Sequence, residues 1–396
     1  MTRLWDKGDS LDAGVLAYTA GDDYALDNRL VRYDIQASVA HAEMLEIQGL
    51  LSAQDLKAVR EALTAIGEGH ARGDWSIALD QEDCQTAIEN LLTARIGAAG
   101  GRLHAGRSRN DQLLAALRLY LRDAAEELRL GTLAVAAALD ALAGRHGAMV
   151  IPGYTHMQQA MPSSVDLWAR GFAAEMRDDA EGLAETQRRI GKNPLGSAAG
   201  YGTPNLDISR EETRRRLEFA VTQEPVTAVQ LSRGKAEAQL LFEITLLAQD
   251  TGRLAADLLL FYTQEFGFVA LSPAFTTGSS IMPQKRNPDV FELMRGRSAV
   301  AQAALNEVLC ITQKLTSGYH RDLQLIKPPL FRGIDSCMQT LNILPAALDG
   351  VSFRPENIRL DPAIHAAAAA NALVARDGIP FREAYRRVAA KLKDSE

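Results

Sequence analysis

Residues 240–261, Leu240-Leu241-Phe242-Glu243-Ile244-Thr245-Leu246-Leu247-Ala248-Gln249-Asp250-Thr251-Gly252-Arg253-Leu254-Ala255-Ala256-Asp257-Leu258-Leu259-Leu260-Phe261, decide the fold. Leu240, Ile244, Leu247, Leu254, Leu258 and Phe261 recur at spacings of three, four and seven, which place them in one apolar stripe on a helix. The pattern extends from about Val226 to Phe266, longer than an ordinary globular helix. Three further runs read the same way: Asp111 to about Arg145, Pro162 to about Ile190, and Pro288 to about Thr316. Period-two alternation is almost absent, so the fold class is all-α. Helices of this length, at 1.5 Å per residue, span roughly 40–60 Å and predict an elongated central bundle.

Smaller helical N- and C-terminal domains flank that bundle, giving divisions at 1–110, 111–353 and 354–396. Residues 1–24 are polar and glycine-containing and read as an irregular arm. A helical pattern begins at Asp27, and Ser52 reads as the N-cap of a helix over Leu56–Ile66. Residues 80–96 form another helix, ended by Gly97. The C-terminal segment is a small helical tail with an alanine run, Ala366–Ala370. Long helices side by side leave apolar flank exposed, and its simplest burial is against copies of the same chain.

Composition narrows the function. Of the 396 residues 47% are hydrophobic and 23% charged, ordinary for a globular protein, and the net charge of −7 gives no broad attraction to nucleic acid. Cys84, Cys310 and Cys337 are few and scattered, which fits a reducing cytoplasm rather than a disulfide framework, and they show no zinc spacing. No run of about 18 apolar residues occurs and the N-terminus has no apolar leader core, so a soluble cytoplasmic protein is expected.

Three loops between the helical runs carry chemistry. Gly278-Ser279-Ser280-Ile281-Met282-Pro283-Gln284-Lys285-Arg286-Asn287-Pro288 holds two hydroxyls, a lysine and an asparagine in a segment broken by glycine and proline. Leu103-His104-Ala105-Gly106-Arg107-Ser108-Arg109-Asn110-Asp111-Gln112 precedes the first long helix, where free amides and the macrodipole favour an anion. Pro152-Gly153-Tyr154-Thr155-His156-Met157-Gln158 lies in a loop between two helical runs. Each alone has a plain reading, as a solvated linker, a helix cap or a surface histidine. Three anion-suited loops at the ends of long helices are harder to explain as an all-α binding scaffold without an active site.

In this order the loops resemble the three blocks of the fumarase/aspartase superfamily, whose members eliminate an amine, amide or water from a succinyl group and release fumarate. Gly106-Arg107-Ser108-Arg109-Asn110-Asp111-Gln112, Gly153-Tyr154-Thr155-His156 and Met282-Pro283-Gln284-Lys285 resemble the argininosuccinate lyase family in particular. The likeness continues in Tyr33-Asp34-Ile35-Gln36, Glu82-Asp83, Thr86-Ala87-Ile88-Glu89, Glu265-Phe266-Gly267-Phe268, Asp322-Leu323-Gln324 and Pro380-Phe381-Arg382-Glu383-Ala384. It covers nearly the whole chain.

The resemblance implies cleavage of argininosuccinate to arginine and fumarate in arginine biosynthesis, with no metal or organic cofactor. It implies Ser279 as the base, His156 as general acid to the leaving nitrogen, directly or through water, and Glu292 as its orienting carboxylate. Lys285 and Asn287 would hold the succinyl carboxylate, with Ser108, Arg109, Asn110 and Thr155 as further donors. Tyr319, Gln324 and Lys327 would bind the amino-acid end, with Asp83 as a partner for cationic groups. It further implies a homotetramer whose sites each draw on three chains. The chain departs from the family pattern at Gln85, where histidine is usual, at Ala105, where threonine is usual, and around Gln230 and His320-Arg321. These departures bear on the amine half. A sister fumarate-releasing lyase with another amine donor, and a non-catalytic crystallin-like member, are the alternatives.

Overall fold

The computed structural model describes residues 12–393. Within them five long helices dominate: Arg109–His146, Val165–Glu185, Lys235–Tyr262, Asp289–Thr312 and Lys327–Asp349. The strands form only two-stranded sheets, Val150–Thr155 with Gln158–Ser164, Lys192–Asn193 with Val221–Thr222, and Val269–Leu271 with Val351–Phe353. The all-α expectation holds. No described helix is long and apolar enough to cross a membrane.

Four of the long helices follow the apolar periodicity, with boundaries shifted by a few residues. The run from Pro162 starts late because Gln158–Ser164 is a strand, and the run from Val226 starts late because Gly234, at φ 83°, separates a short turn from the helix at Lys235. The fifth, Lys327–Asp349, has no counterpart among the expected helices. Its apolar residues Leu330, Ile334, Leu341, Leu344 and Leu348 are buried at helical spacing, with Pro328 and Pro329 in its first turn and Pro345 in its interior. Prolines in a first turn remove only amides that have no intrahelical partner. The irregular arm over 1–24 is also corrected: residues 1–11 lie outside the described part, and Ala13–Ala20 is a helix capped by the Asp12 carboxylate, which accepts from Gly14 and Val15 N–H at 2.8 and 3.0 Å. Ser52 caps Ala53–Ala71 as expected, its Oγ accepting from Asp55 N–H at 3.1 Å.

The chain divides into two compact units. Of the described residues, one gathers those up to Arg129, Glu181–Thr245 and Ala299–Cys337, the other Leu130–Ala180, Leu246–Ser298 and those from Met338 onward. In the first, Ala37 and Ala40 of the Val31–Ile47 helix meet Ala115, Ala116 and Leu119 of the Arg109–His146 helix, with Tyr33, Leu195, Leu217 and Phe219 completing the cluster. Small side chains let the two backbones approach, and the larger residues close the gap. Gly333 does the same for another pair of helices: a Cβ there would lie 2.5 Å from Leu241 Cδ2. The second unit is built on aromatic side chains. Trp168 packs edge-on against Phe172 and Phe353, Phe261 against Phe353, and Phe266 against Phe268, geometries in which ring edges meet ring faces. The Trp168 indole N–H donates to Asp257 Oδ2 at 2.9 Å, so its polar end is not left unpaired.

Candidate active site

In the first unit the sequence block Gly106–Gln112 turns into the Arg109–His146 helix over a buried carboxylate. Asp111 Oδ1 accepts from Ser108 N–H at 2.9 Å, and Oδ2 accepts from Gly196 and Ala198 N–H at 2.9 and 2.8 Å. Asp111 is fully buried, and burial pushes its carboxyl up to about 6 against the pull of those amides and of Arg107. Ser108 Oγ accepts from Asn110 N–H at 3.3 Å, so this hydroxyl serves the helix start.

Arg109, Asn110, Asp83, Tyr319, Gln324 and Lys327 all line one cavity of about 100 Å³. Four separate stretches of sequence supply it, so spacing alone could not assemble it. Arg109 Nη1 donates to Asp83 Oδ2 at 2.9 Å and to Thr86 Oγ1 at 3.2 Å, and lies 3.5 Å from Glu82 Oε2. Asp83 Oδ1 in turn accepts from Thr86 N–H at 2.8 Å and caps the Cys84–Ile96 helix. The expected cation partner Asp83 therefore already holds one internal guanidinium. Gln324 Nε2 donates to the carbonyls of Thr19 and Ala20, both at 3.0 Å, which fixes its amide in the wall.

Lys327 is fully buried. Its ammonium donates to Asp27 Oδ1 at 2.7 Å and pairs with Asp23 Oδ2 at 2.8 Å. Burial favours the neutral amine, but Asp27 and Asp23 together outweigh it and hold the Lys327 pKa above the usual lysine value. Burial raises the Asp23 carboxyl to about 7, with Asp27 and Asp83 adding like-charge repulsion and Lys327 opposing. Asp23, Glu82 and Arg321 line the same cavity and were not among the expected site residues. Glu82 was within reach, since it adjoins Asp83 in a resembling pair. Nothing in the sequence marks Asp23, which lies in the segment read as an irregular arm.

The departures at Gln85, Ala105 and His320 have local partners, whereas the buried Gln230 amide has none among the described residues. Gln85 Nε2 donates to Asp34 Oδ2 at 2.9 Å, beside Gln112 Nε2 and Ser38 Oγ on Oδ1 at 3.0 and 3.3 Å. A neutral amide thus supplies the donor that an imidazole N–H would supply. Ala105 contributes its carbonyl, which accepts from His41 Nε2 at 2.8 Å. Burial, with Arg107 nearby, lowers the His41 pKa to about 3, so the ring is neutral with its proton on Nε2. His320 Nε2 lies 3.0 Å from Thr316 Oγ1.

The second unit carries the other two blocks. The loop expected around His156 is a β-hairpin: Thr155 pairs with Gln158, and His156 and Met157 form the two-residue turn at φ 51° and 63°. Positive φ at both turn residues matches the twist of the flanking strands. Alternation was hidden by Pro152, Gly153 and Pro162, and His-Met is not a turn-signal pair. Thr155 and His156 stand exposed at the tip. Gln159 anchors the hairpin by accepting from Asp361 N–H at 2.9 Å and donating to the Arg359 carbonyl at 3.0 Å.

The 278–288 loop is closed at its neck. Thr277 N–H donates to the Asn287 carbonyl at 3.0 Å and Asn287 N–H to the Thr277 carbonyl at 2.8 Å. Asn287 Nδ2 also donates to the Gly278 carbonyl at 3.2 Å. Inside the loop, Ser279 Oγ accepts from Met282 and Ile281 N–H at 3.2 and 3.4 Å. Two amides directed at one hydroxyl oxygen favour its ionised form. Lys285 is exposed. Glu292 is exposed in the first turn of the Asp289–Thr312 helix and makes no hydrogen bond with His156.

Residues 13–303 match the family model described as Lyase, which sets the class of protein. An argininosuccinate lyase of Sorangium cellulosum is 46% identical over 98% of this chain and 90% of its own length. One from Xylella fastidiosa is 43% identical over 99% of this chain and 88% of its own. Among solved structures, an EDDS lyase with bound fumarate superposes at a TM-score of 0.81, with 24% identity, covering 96% of this chain and 76% of that one. A class II fumarase from Schistosoma mansoni gives 0.79 at 16% identity, covering 96% and 88%. The chain belongs to the lyase family and, within it, to the argininosuccinate lyases.

Proposed function

We propose that the chain cleaves argininosuccinate to arginine and fumarate. A base removes the proton beside a carboxylate of the succinyl half, the resulting aci-carboxylate carries two negative charges, and its collapse expels the guanidino nitrogen as that nitrogen is protonated. Ser279 is assigned as the base, and the observation that carries this role is the pair of amides aimed at its Oγ. A free serine is too weakly acidic to act so, and amides converging on the oxygen supply part of the required stabilisation.

His156 is assigned as the acid, with Glu292 orienting it, and Lys285, Asn287 and Thr155 as donors to the succinyl carboxylates. Ser108, Arg109 and Asn110 add donors from the helix start. Tyr319, Gln324, Lys327 and Asp83 take the amino-acid end, and a cavity lined by both the carboxylates Asp23, Glu82 and Asp83 and the cations Arg109, Arg321 and Lys327 suits its paired ammonium and carboxylate. A homotetramer with sites drawn from three chains belongs to this reading. Its support is the apolar surface of the long helices, where Leu130, Leu167, Phe242, Leu293 and Leu309 stand exposed.

The test gives purified protein argininosuccinate and, separately, adenylosuccinate, and follows fumarate by ultraviolet absorbance. Fumarate and arginine from the first alone are expected. Turnover of adenylosuccinate instead would transfer the chain to a sister activity, and turnover of neither would point to a non-catalytic member.

A further inference from the structure

A second cavity, of about 770 Å³, lies in the first unit and shares no lining residue with the cavity around Lys327. Arg118, Arg188, Arg189, Lys192 and Lys235 line it, and no carboxylate does. This is unusual for a chain of net charge −7. Most arginines elsewhere are paired, as in Arg29–Asp335, Arg145–Asp349 and Arg170–Asp166. Among the described residues, Arg188, Arg189, Lys192 and Lys235 make no ion pair.

The innermost cation is built in. Arg118 is 2% exposed. Its guanidinium donates to the Lys192 carbonyl and, at 2.9 Å, to Ser232 Oγ, which ties together two walls of the cavity. Its Nε–H has no partner. A buried guanidinium with an unmet donor, ringed by four further cations, is a fixed field for a multiply charged anion. Guanidinium forks match the oxygens of a phosphoryl group two at a time, and ammonium groups add point charge. The volume is that of an ordinary small-molecule site, and exposed Leu231 adds an apolar wall beside the charges.

We propose that this cavity binds a metabolite bearing a di- or triphosphate chain, independently of the lyase site. The buried Glu237 carboxylate near Arg118 offsets one charge, and the cations that remain still exceed what a single carboxylate or phosphate balances, so the linked phosphoryl groups are the recognised element.

The experiment titrates the full-length protein with tripolyphosphate, ATP and citrate by calorimetry, without argininosuccinate, so that its outcome does not depend on the lyase reading. Saturable binding of tripolyphosphate and ATP is expected, with citrate at least about tenfold weaker. A tighter ATP than tripolyphosphate assigns the nucleoside a share of the site, and equal affinities assign recognition to the phosphates alone. Arg188→Gln/Arg189→Gln/Lys235→Gln changes exposed side chains and is expected to weaken binding at least about tenfold at unchanged melting temperature; should the triple variant fold poorly, Lys235→Gln alone is the measure. In Ser279→Ala protein saturated with argininosuccinate, tripolyphosphate binding is expected to persist. Absence of saturable binding, citrate binding as tightly as tripolyphosphate, equal binding by the variants, or displacement by argininosuccinate would each overturn the proposal.

Discussion

At the scale of single residues, Ser279 and Asp23 carry the sharpest consequences. Ser279→Ala removes the oxygen on which two amides converge, so kcat is expected to fall by at least about a thousandfold. Sizing should give an unchanged mass, and a variant with near-normal kcat would remove Ser279 from the chemistry. Asp23, raised to about 7, ionises across neutral pH and adds negative charge to the cavity only above that point. If the cavity holds the substrate's ammonium, KM falls as pH rises from about 6 to about 8, and Asp23→Asn flattens that slope. The same shift has a sign for folding. The native state binds this proton more tightly than an unfolded chain with the ordinary value of 3.8, so Asp23's contribution to stability is present at low pH. It is lost progressively as pH rises from near 4 through about 7. Ser279 was legible because its neighbours form a distinctive string. Asp23 was not, since its role comes from contact with Lys327, about three hundred positions away in the chain.

At the scale of elements, helices were easier to read than the pieces that present the chemistry. A stripe such as Leu240, Ile244, Leu247 survives any tertiary context, because burying one face is what a long helix is for. The Lys327–Asp349 helix has no counterpart among the expected runs, and its three prolines, one of them interior, are what set it apart from an ordinary helical pattern. The hairpin escaped because Pro152, Gly153 and Pro162, spread over residues 150–164, hide a period of two. In the 278–288 loop the functional and structural uses of one side chain compete. Asn287 Nδ2 holds the neck by donating to the Gly278 carbonyl, while the family resemblance assigns it to a carboxylate. Asn287→Ala is expected to lower kcat about tenfold or more and to speed proteolytic cutting within the loop, each lost bond contributing about 1 kcal/mol to its order. Loss of kcat with unchanged proteolysis would confine Asn287 to ligand contact.

At the scale of the whole molecule, the expected site residues fall into two sets, each within its own unit. Asp83, Ser108, Arg109, Asn110, Tyr319, Gln324 and Lys327 lie in the first; Thr155, His156, Ser279, Lys285, Asn287 and Glu292 lie in the second. The proposed tetramer makes a test by mixing. Ser279→Ala and His156→Asn proteins, each inactive alone, are unfolded together and refolded. If one site takes these residues from different chains, some mixed assemblies regain an intact pair and activity returns. If both residues come from one chain, every site keeps a defect and the mixture stays inactive.

The choice of Gln85 as donor to Asp34 has a further effect. An imidazole in that place would change its charge within the range a cell visits, and the buried shell of Asp34, Arg107 and Gln112 would change with it. An amide has no such response. That donor then stays the same in mild acid and mild alkali alike, while burial raises the carboxyls of Asp34, Asp111 and Asp23, which still answer to pH. The donor has been made deaf to protons while the carboxylates around it still hear them.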